Sequence, residues 1–132
     1  MAENFDTLSA RLQRFNEALV RMSVLFYQID GKITLTEQDY FDSLTQSVEL
    51  EWRSGIVLPT FINQAIHESR EAISAGKSRE YLRSLGSDLN IDAARSLEVA
   101  MDITAADGKR SDEELELLSL LSNRVLAKGL VG

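Results

Sequence analysis

Apolar residues recur along the N-terminal stretch at alternating spacings of three and four: Phe5, Leu8, Leu12, Phe15, Leu19, Met22, Phe26 and Ile29. That rhythm keeps one face of an α-helix apolar over about seven turns. From Met22 onward, Val24, Leu25 and Tyr27 widen the stripe, which places this end of the helix deep in a core and makes Phe26-Tyr27 packing residues. A second helix is predicted after Thr34, with Tyr40, Phe41, Leu44, Val48 and Leu50 inward. Trp52 to Leu58 reads as a break with Ser54-Gly55 as its turn signal, and Pro59 suits the first turn of a third helix. That helix carries Phe61, Ile62, Ala65, Ile66 and Ile73 and ends near Gly76. A short fourth helix holds Tyr81, Leu82 and Leu85 and stops at Gly86. Asn90 or Asp92 caps a fifth, with Ala94, Leu97, Ala100, Met101, Thr104 and Ala105 inward. A sixth starts at Ser111, carries Leu115, Leu118, Leu121, Val125 and Leu126, and ends at Gly129. With one Pro and few β-branched runs, the pattern predicts an all-α chain. Its expected form is a single compact bundle of about six to seven helices. No linker or low-complexity segment divides the chain, so residues 1–132 are expected to form one domain.

One motif occurs twice on this framework. Asp30-Gly31-Lys32-Ile33-Thr34-Leu35-Thr36-Glu37 follows the first helix, and Asp107-Gly108-Lys109-Arg110-Ser111-Asp112-Glu113-Glu114 follows the fifth. Both fit D-G-K-x-[ST]-x-x-E, so the chain is expected to contain two quasi-repeated helix–turn–helix halves. Gly31 and Gly108 accept positive φ without steric cost and act as helix stops. Thr34 with Glu37, and Ser111 with Glu114, form capping boxes in which hydroxyl and carboxylate each accept one exposed backbone N–H. Asp30 and Asp107 are less comfortable. A carboxylate at a helix C-terminus opposes the helix dipole at a cost of about 0.3–1 kcal/mol. Loop N–H groups, Lys32 and Lys109, or a bound cation are the available compensations.

Helix–D-G-x-x-[ST]-x-x-E–helix, repeated near both ends of an acidic all-α domain, resembles the TerB-like tellurite-resistance family. Ile103-Thr104-Ala105-Ala106-Asp107-Gly108 through Glu114 is the nearer copy, with small residues before Asp-Gly; the first copy departs, with Phe26-Tyr27-Gln28-Ile29 before Asp30. The resemblance implies a compact helical domain of bacterial cytoplasmic stress systems, non-enzymatic and acting through protein partners. It also implies a divalent cation held at Asp30, Glu37, Asp107 and Glu114. Carboxylates suit Ca²⁺ or Mg²⁺, and Asp39, Asp112 and Glu113 are further oxygen donors. Zinc fits less well, because His67 is the only His and there is no Cys. Neither copy is an EF-hand: Gly follows the first Asp directly and Glu comes seven residues after it. Two readings of the repeat stay open, a cation site and turn-and-cap chemistry alone, the latter in a structural interaction module without metal.

Composition narrows the function classes. Hydrophobic residues make up 44% and charged residues 27%, an ordinary globular balance. The absence of Cys excludes disulfides and cysteine nucleophiles. A net charge of −7 argues against a phosphate-binding surface and hence against nucleic acid. No apolar run approaches the ~20 residues that span a bilayer. Nor does the N-terminus show a basic stretch followed by an apolar one, so a cytoplasmic protein without membrane insertion is expected.

Other candidate chemistry is weaker. Asp42-Ser43-Leu44 is similar to the site at which acyl and peptidyl carrier proteins bear phosphopantetheine. A carrier has a turn before that Ser, whereas Glu37 to Phe41 runs into Ser43 with helical periodicity. His67, Glu68 and Glu71 suggest a surface polar cluster. No second His or nucleophile elbow accompanies it, so no enzyme is expected. Lys77, Arg79 and Arg83 form a small basic patch, readable as solvated surface paired with Glu80 or as a partner contact.

Overall fold

The computed structural model describes residues 2–29, 35–105 and 110–126, with side chains from Leu8 onward in the first helix and from Asp39 onward in the second. The N-terminal stripe becomes one long helix, α1 (Ala2–Gln28). It is followed by α2 (Leu35–Glu51), α3 (Leu58–Ser74), α4 (Ser78–Ser84), α5 (Gly86–Leu89), a 3-10 turn (Asn90–Asp92), α6 (Ala93–Ala105), α7 (Asp112–Leu120) and a π-helical turn (Leu121–Val125). Among the described residues there is no strand, as the apolar spacing predicts. Both D-G-K segments lie between paired helices, α1–α2 and α6–α7, but Asp30 to Thr34 and 106–109 fall outside the described residues.

The C-terminal half of α1 is the axis of the bundle. Ala18, Leu19, Val20, Met22, Val24, Leu25, Phe26 and Tyr27 are all buried, so this stretch is covered on every side by its neighbours α2, α3, α5 and α6. Ser23 survives at 0% exposure because its hydroxyl donates to the Leu19 carbonyl at 2.7 Å. Tyr27 meets Phe41 of α2 edge to face at 5.0 Å. Polar ties cross from α1 to α3: Gln28 Nε2 donates to Ser69 Oγ, and Arg21 pairs with Glu68 at 3.3 Å while its guanidinium lies 4.9 Å from the Phe61 ring centroid.

Chain direction changes where the sequence signals it. Trp52 Nε1 donates to the Ile56 carbonyl at 2.7 Å across the α2–α3 connection, and Pro59 sits in the first turn of α3. Gly76 adopts φ 70° just past the end of α3, a conformation that suits glycine. Gly86 follows the end of α4, as expected, and the chain turns directly into α5 there; a Cβ at Gly86 would lie 3.2 Å from Val125 Cγ1. The glycine admits the C-terminal π turn, in which Leu126 N donates to the Leu121 carbonyl at 2.8 Å. Asn90 is the strut of this corner. Its Nδ2 donates to the Gly86 carbonyl at 2.8 Å and the Val125 carbonyl at 2.7 Å, while Asp92 Oδ1 caps the Arg95 amide at 3.1 Å.

Two helix faces differ in part from the predicted ones: Leu97, Ala100 and Thr104 of α6 and Leu118, Leu121, Val125 and Leu126 of the C-terminal segment are buried or pack against the core as expected, and the rest do not. On α6 the buried residues are Ala93, Ser96, Val99, Ala100, Ile103 and Thr104, whereas Ala94, Met101 and Ala105 are exposed. Ser96 disguises this face in the sequence: it is buried because its hydroxyl bonds the Leu89 and Asp92 carbonyls, each at 3.0 Å. On α7, Leu115 is 50% exposed, and Glu114 and Leu117 turn inward. Leu50 is also exposed, since it falls two residues, about 200° of helix rotation, past Val48 on the buried face of α2.

Candidate functional site

Position by position, the four carboxylates proposed from the repeat separate into described and undescribed. Asp30 and Asp107 lie outside the described residues, as does the side chain of Glu37. Glu114 is described and is 4% exposed. Its Oε1 accepts the Ser111 amide at 3.0 Å, and Ser111 Oγ accepts the Glu114 amide at 3.1 Å, so the second copy forms the capping box expected of it. Asp112 and Glu113 are exposed in the same first turn, where the helix dipole favours negative charge. Arg110 closes the turn from the other side. Its Nε donates to Thr104 Oγ1 at 2.9 Å and its Nη2 to the Met101 carbonyl at 3.2 Å, placing a cation at the C-terminal end of α6. Among the described residues no group of three or more His, Asp or Glu side chains gathers in one place.

Other residues singled out from the sequence disperse over the surface. Ser43 is exposed in the middle of α2, which runs unbroken through it. His67 pairs with Glu71 at 3.0 Å on the exposed face of α3, above a shallow depression walled by that helix alone. Glu68 takes a different role, accepting the Tyr81 hydroxyl at 3.1 Å as well as Arg21. Burial raises the Tyr81 pKa, and the Glu68 charge and hydrogen bond raise it further, against a smaller opposing effect of Arg21. Tyr40 behaves alike: burial, then the charge and hydrogen bond of Asp102 at 3.2 Å, push it up to about 12. Arg79 pairs with Glu116 of α7 rather than with Glu80.

A concave feature with walls from several elements lies beside the N-terminal half of α1. At 27 residues α1 is ten longer than α2 or α3, which have 17 each. That surplus is about 15 Å of helix. The apolar stripe does not stop where cover stops: Leu8 is 62% and Leu12 38% exposed. Between this segment, the C-terminal half of α2 and the start of α6 runs a groove of about 400 Å³. Its apolar surface comes from Leu8, Leu12, Phe15 and Leu19 of α1, Val48 of α2 and Ile91 of the 3-10 turn. Arg11, Glu51, Asp92 and Arg95 supply two charges of each sign at its edges. Asn16 also lines the groove. It is 2% exposed, and its Nδ2 has no acceptor among the described residues. A buried donor left unmatched costs about 1–3 kcal/mol.

Reasoning from sequence alone missed this groove. The available signal was length: the apolar stripe of α1 starts well before any partner helix of similar length could cover it. Among the described residues no helix is long and apolar enough to cross a membrane. The chain matches no protein-family model, no curated protein and no solved structure.

Proposed function

We propose that this chain is a non-enzymatic helical module that works by seating a protein helix in the groove between α1, α2 and the start of α6. The single observation carrying this is the uncovered continuation of the α1 stripe, Leu8 and Leu12, beside a groove with an apolar floor. Grooves of this form take amphipathic helices through anchors spaced one turn apart. A photo-crosslinking side chain at position 8 tests it. The expected result is a discrete protein adduct that the same probe at Arg83, on another face, does not give. Equal or absent crosslinking at both positions contradicts the reading.

The repeated motif supports a second reading, in which the module is TerB-like, belongs to a bacterial cytoplasmic stress response, and holds Ca²⁺ or Mg²⁺ through Asp30, Glu37, Asp107 and Glu114. Glu114 fits such a set only in part, because one of its oxygens is committed to the Ser111 amide. Chelator-stripped protein should then melt higher when one divalent cation is added, by about 2.7 kcal/mol of stability at a hundredfold excess over Kd. Asp107→Ala should abolish the rise. No response to any cation would leave the repeat as turn-and-cap chemistry.

A further inference from the structure

Which chain fills the groove is legible in its charges. We infer that the occupant is a second copy of this chain, whose α1 N-terminal segment lies in the groove while its own groove receives the first copy's; this rests on the groove being a helix-docking surface.

A protein of net charge −7 repels its own kind over most of its surface. The groove edge is an exception. Arg11 and Arg95 balance Glu51 and Asp92, so the patch is locally neutral. Neutrality with both signs present is what a two-fold contact needs, because the same patch must be complementary to itself. A strongly acidic or strongly basic partner would find no net attraction there. The four groups are also unequally committed. Asp92 caps the Arg95 amide, and Arg95 pairs with Glu98 at 3.0 Å. Arg11 and Glu51 are exposed on facing helices and have no ion-pair partner among the described residues. In the inferred dimer, Arg11 of each copy pairs with Glu51 of the other across the two-fold axis. The apolar part is complementary in the same sense: Leu8 and Leu12 project from the segment, and Phe15, Leu19 and Val48 form the floor that receives them.

Sedimentation velocity of the full chain from about 1 to 200 μM, where modest interfaces associate, tests the inference. The expected result is a concentration-dependent shift from monomer to dimer that Leu8→Asp and Leu12→Asp abolish without lowering the melting temperature of the dilute monomer. Arg11→Glu and Glu51→Arg should each weaken the dimer on the order of tenfold, since the contact occurs twice. Their equimolar mixture should restore it, because both opposed pairs are regained in the mixed dimer. A wild-type chain monomeric throughout that range, or a mixture no better than the single reversals, overturns the inference. Crosslinking at position 8 separates the two levels. An adduct of twice the chain mass agrees with the inference. An adduct with a different protein refutes the second copy but leaves the docking groove standing, and no adduct at all removes both.

Discussion

The two halves of α1 carry one stripe and meet opposite fates. From Phe15 to Tyr27 the helix is encased, with Met22, Leu25 and Phe26 at 0% exposure. Residues of the same type at Leu8 and Leu12 face the groove and the solvent. Spacing alone does not distinguish them. What does is the length of the neighbours: α2 and α3 end before α1 does, so the pattern commits a face to be apolar while tertiary structure decides what covers it. An apolar face left open next to a groove is a candidate contact surface in a way that a scattered exposed Leu is not.

The sharpest way to break this comparison is truncation at equivalent stripe positions. Phe26→Ala should destabilise the fold by about 3–5 kcal/mol, because it empties fully buried volume. Leu8→Ala should change stability by less than about 0.5 kcal/mol under dilute conditions. Urea melts of both variants check this, and comparable losses would show that the N-terminal half is as buried as the rest. An intermediate effect is expected at the Gly86–Val125 approach. Gly86→Ala gains helix propensity but forces a Cβ against Val125 Cγ1 at 3.2 Å, for a net loss on the order of 1 kcal/mol. Adding Val125→Ala should relieve the clash. Ser111→Ala should cost about 1 kcal/mol through loss of the capping hydroxyl, although it touches neither half of α1.

The polar ties of the encased half give a gentler test through pH. The Tyr81 hydroxyl donates to Glu68, which also anchors Arg21 of α1, and the folded-state pKa of Tyr81 is raised. A raised folded pKa means that the contribution is fully present below the unfolded value near 10 and is lost as pH rises through the folded one. Tyr40, pushed up to about 12 by burial and Asp102, contributes in the same direction. Stability should therefore decline above about pH 10. Tyr81→Phe and Tyr40→Phe should each flatten that decline, as equilibrium melts at stepped alkaline pH would report.

Much of the architecture was readable from apolar spacing, and the exceptions have physical causes. The long first helix, the break at Trp52 to Leu58, Pro59 in a first turn, the stop at Gly76 and the Ser111–Glu114 box all follow from local rules that tertiary contacts did not override. The faces of α6 and α7 were harder. Ser96 is polar by name but its hydroxyl is satisfied by two carbonyls, and Glu114 folds its carboxylate onto its own helix start, so both can be buried. Of the two candidate caps of α6, Asp92 takes the role, and Asn90 ties α5 to the C-terminal turn, a contact across 35 residues of sequence that no local rule contains. Of the carboxylate set drawn from the repeat, Glu114 is placed, while Asp30, Asp107 and the Glu37 side chain lie outside the described residues. The groove is not legible in local sequence because it is defined by the unequal lengths of helices that meet only in the fold.

Hydrogen exchange resolved along α1, at low protein concentration, tests the central claim most directly. The account predicts slow exchange limited by global unfolding for residues 15–27 and much faster exchange for residues 8–13, whose protection rises when the groove is occupied. Uniform protection along the whole helix in the free monomer would contradict it, because the N-terminal half would then already be covered.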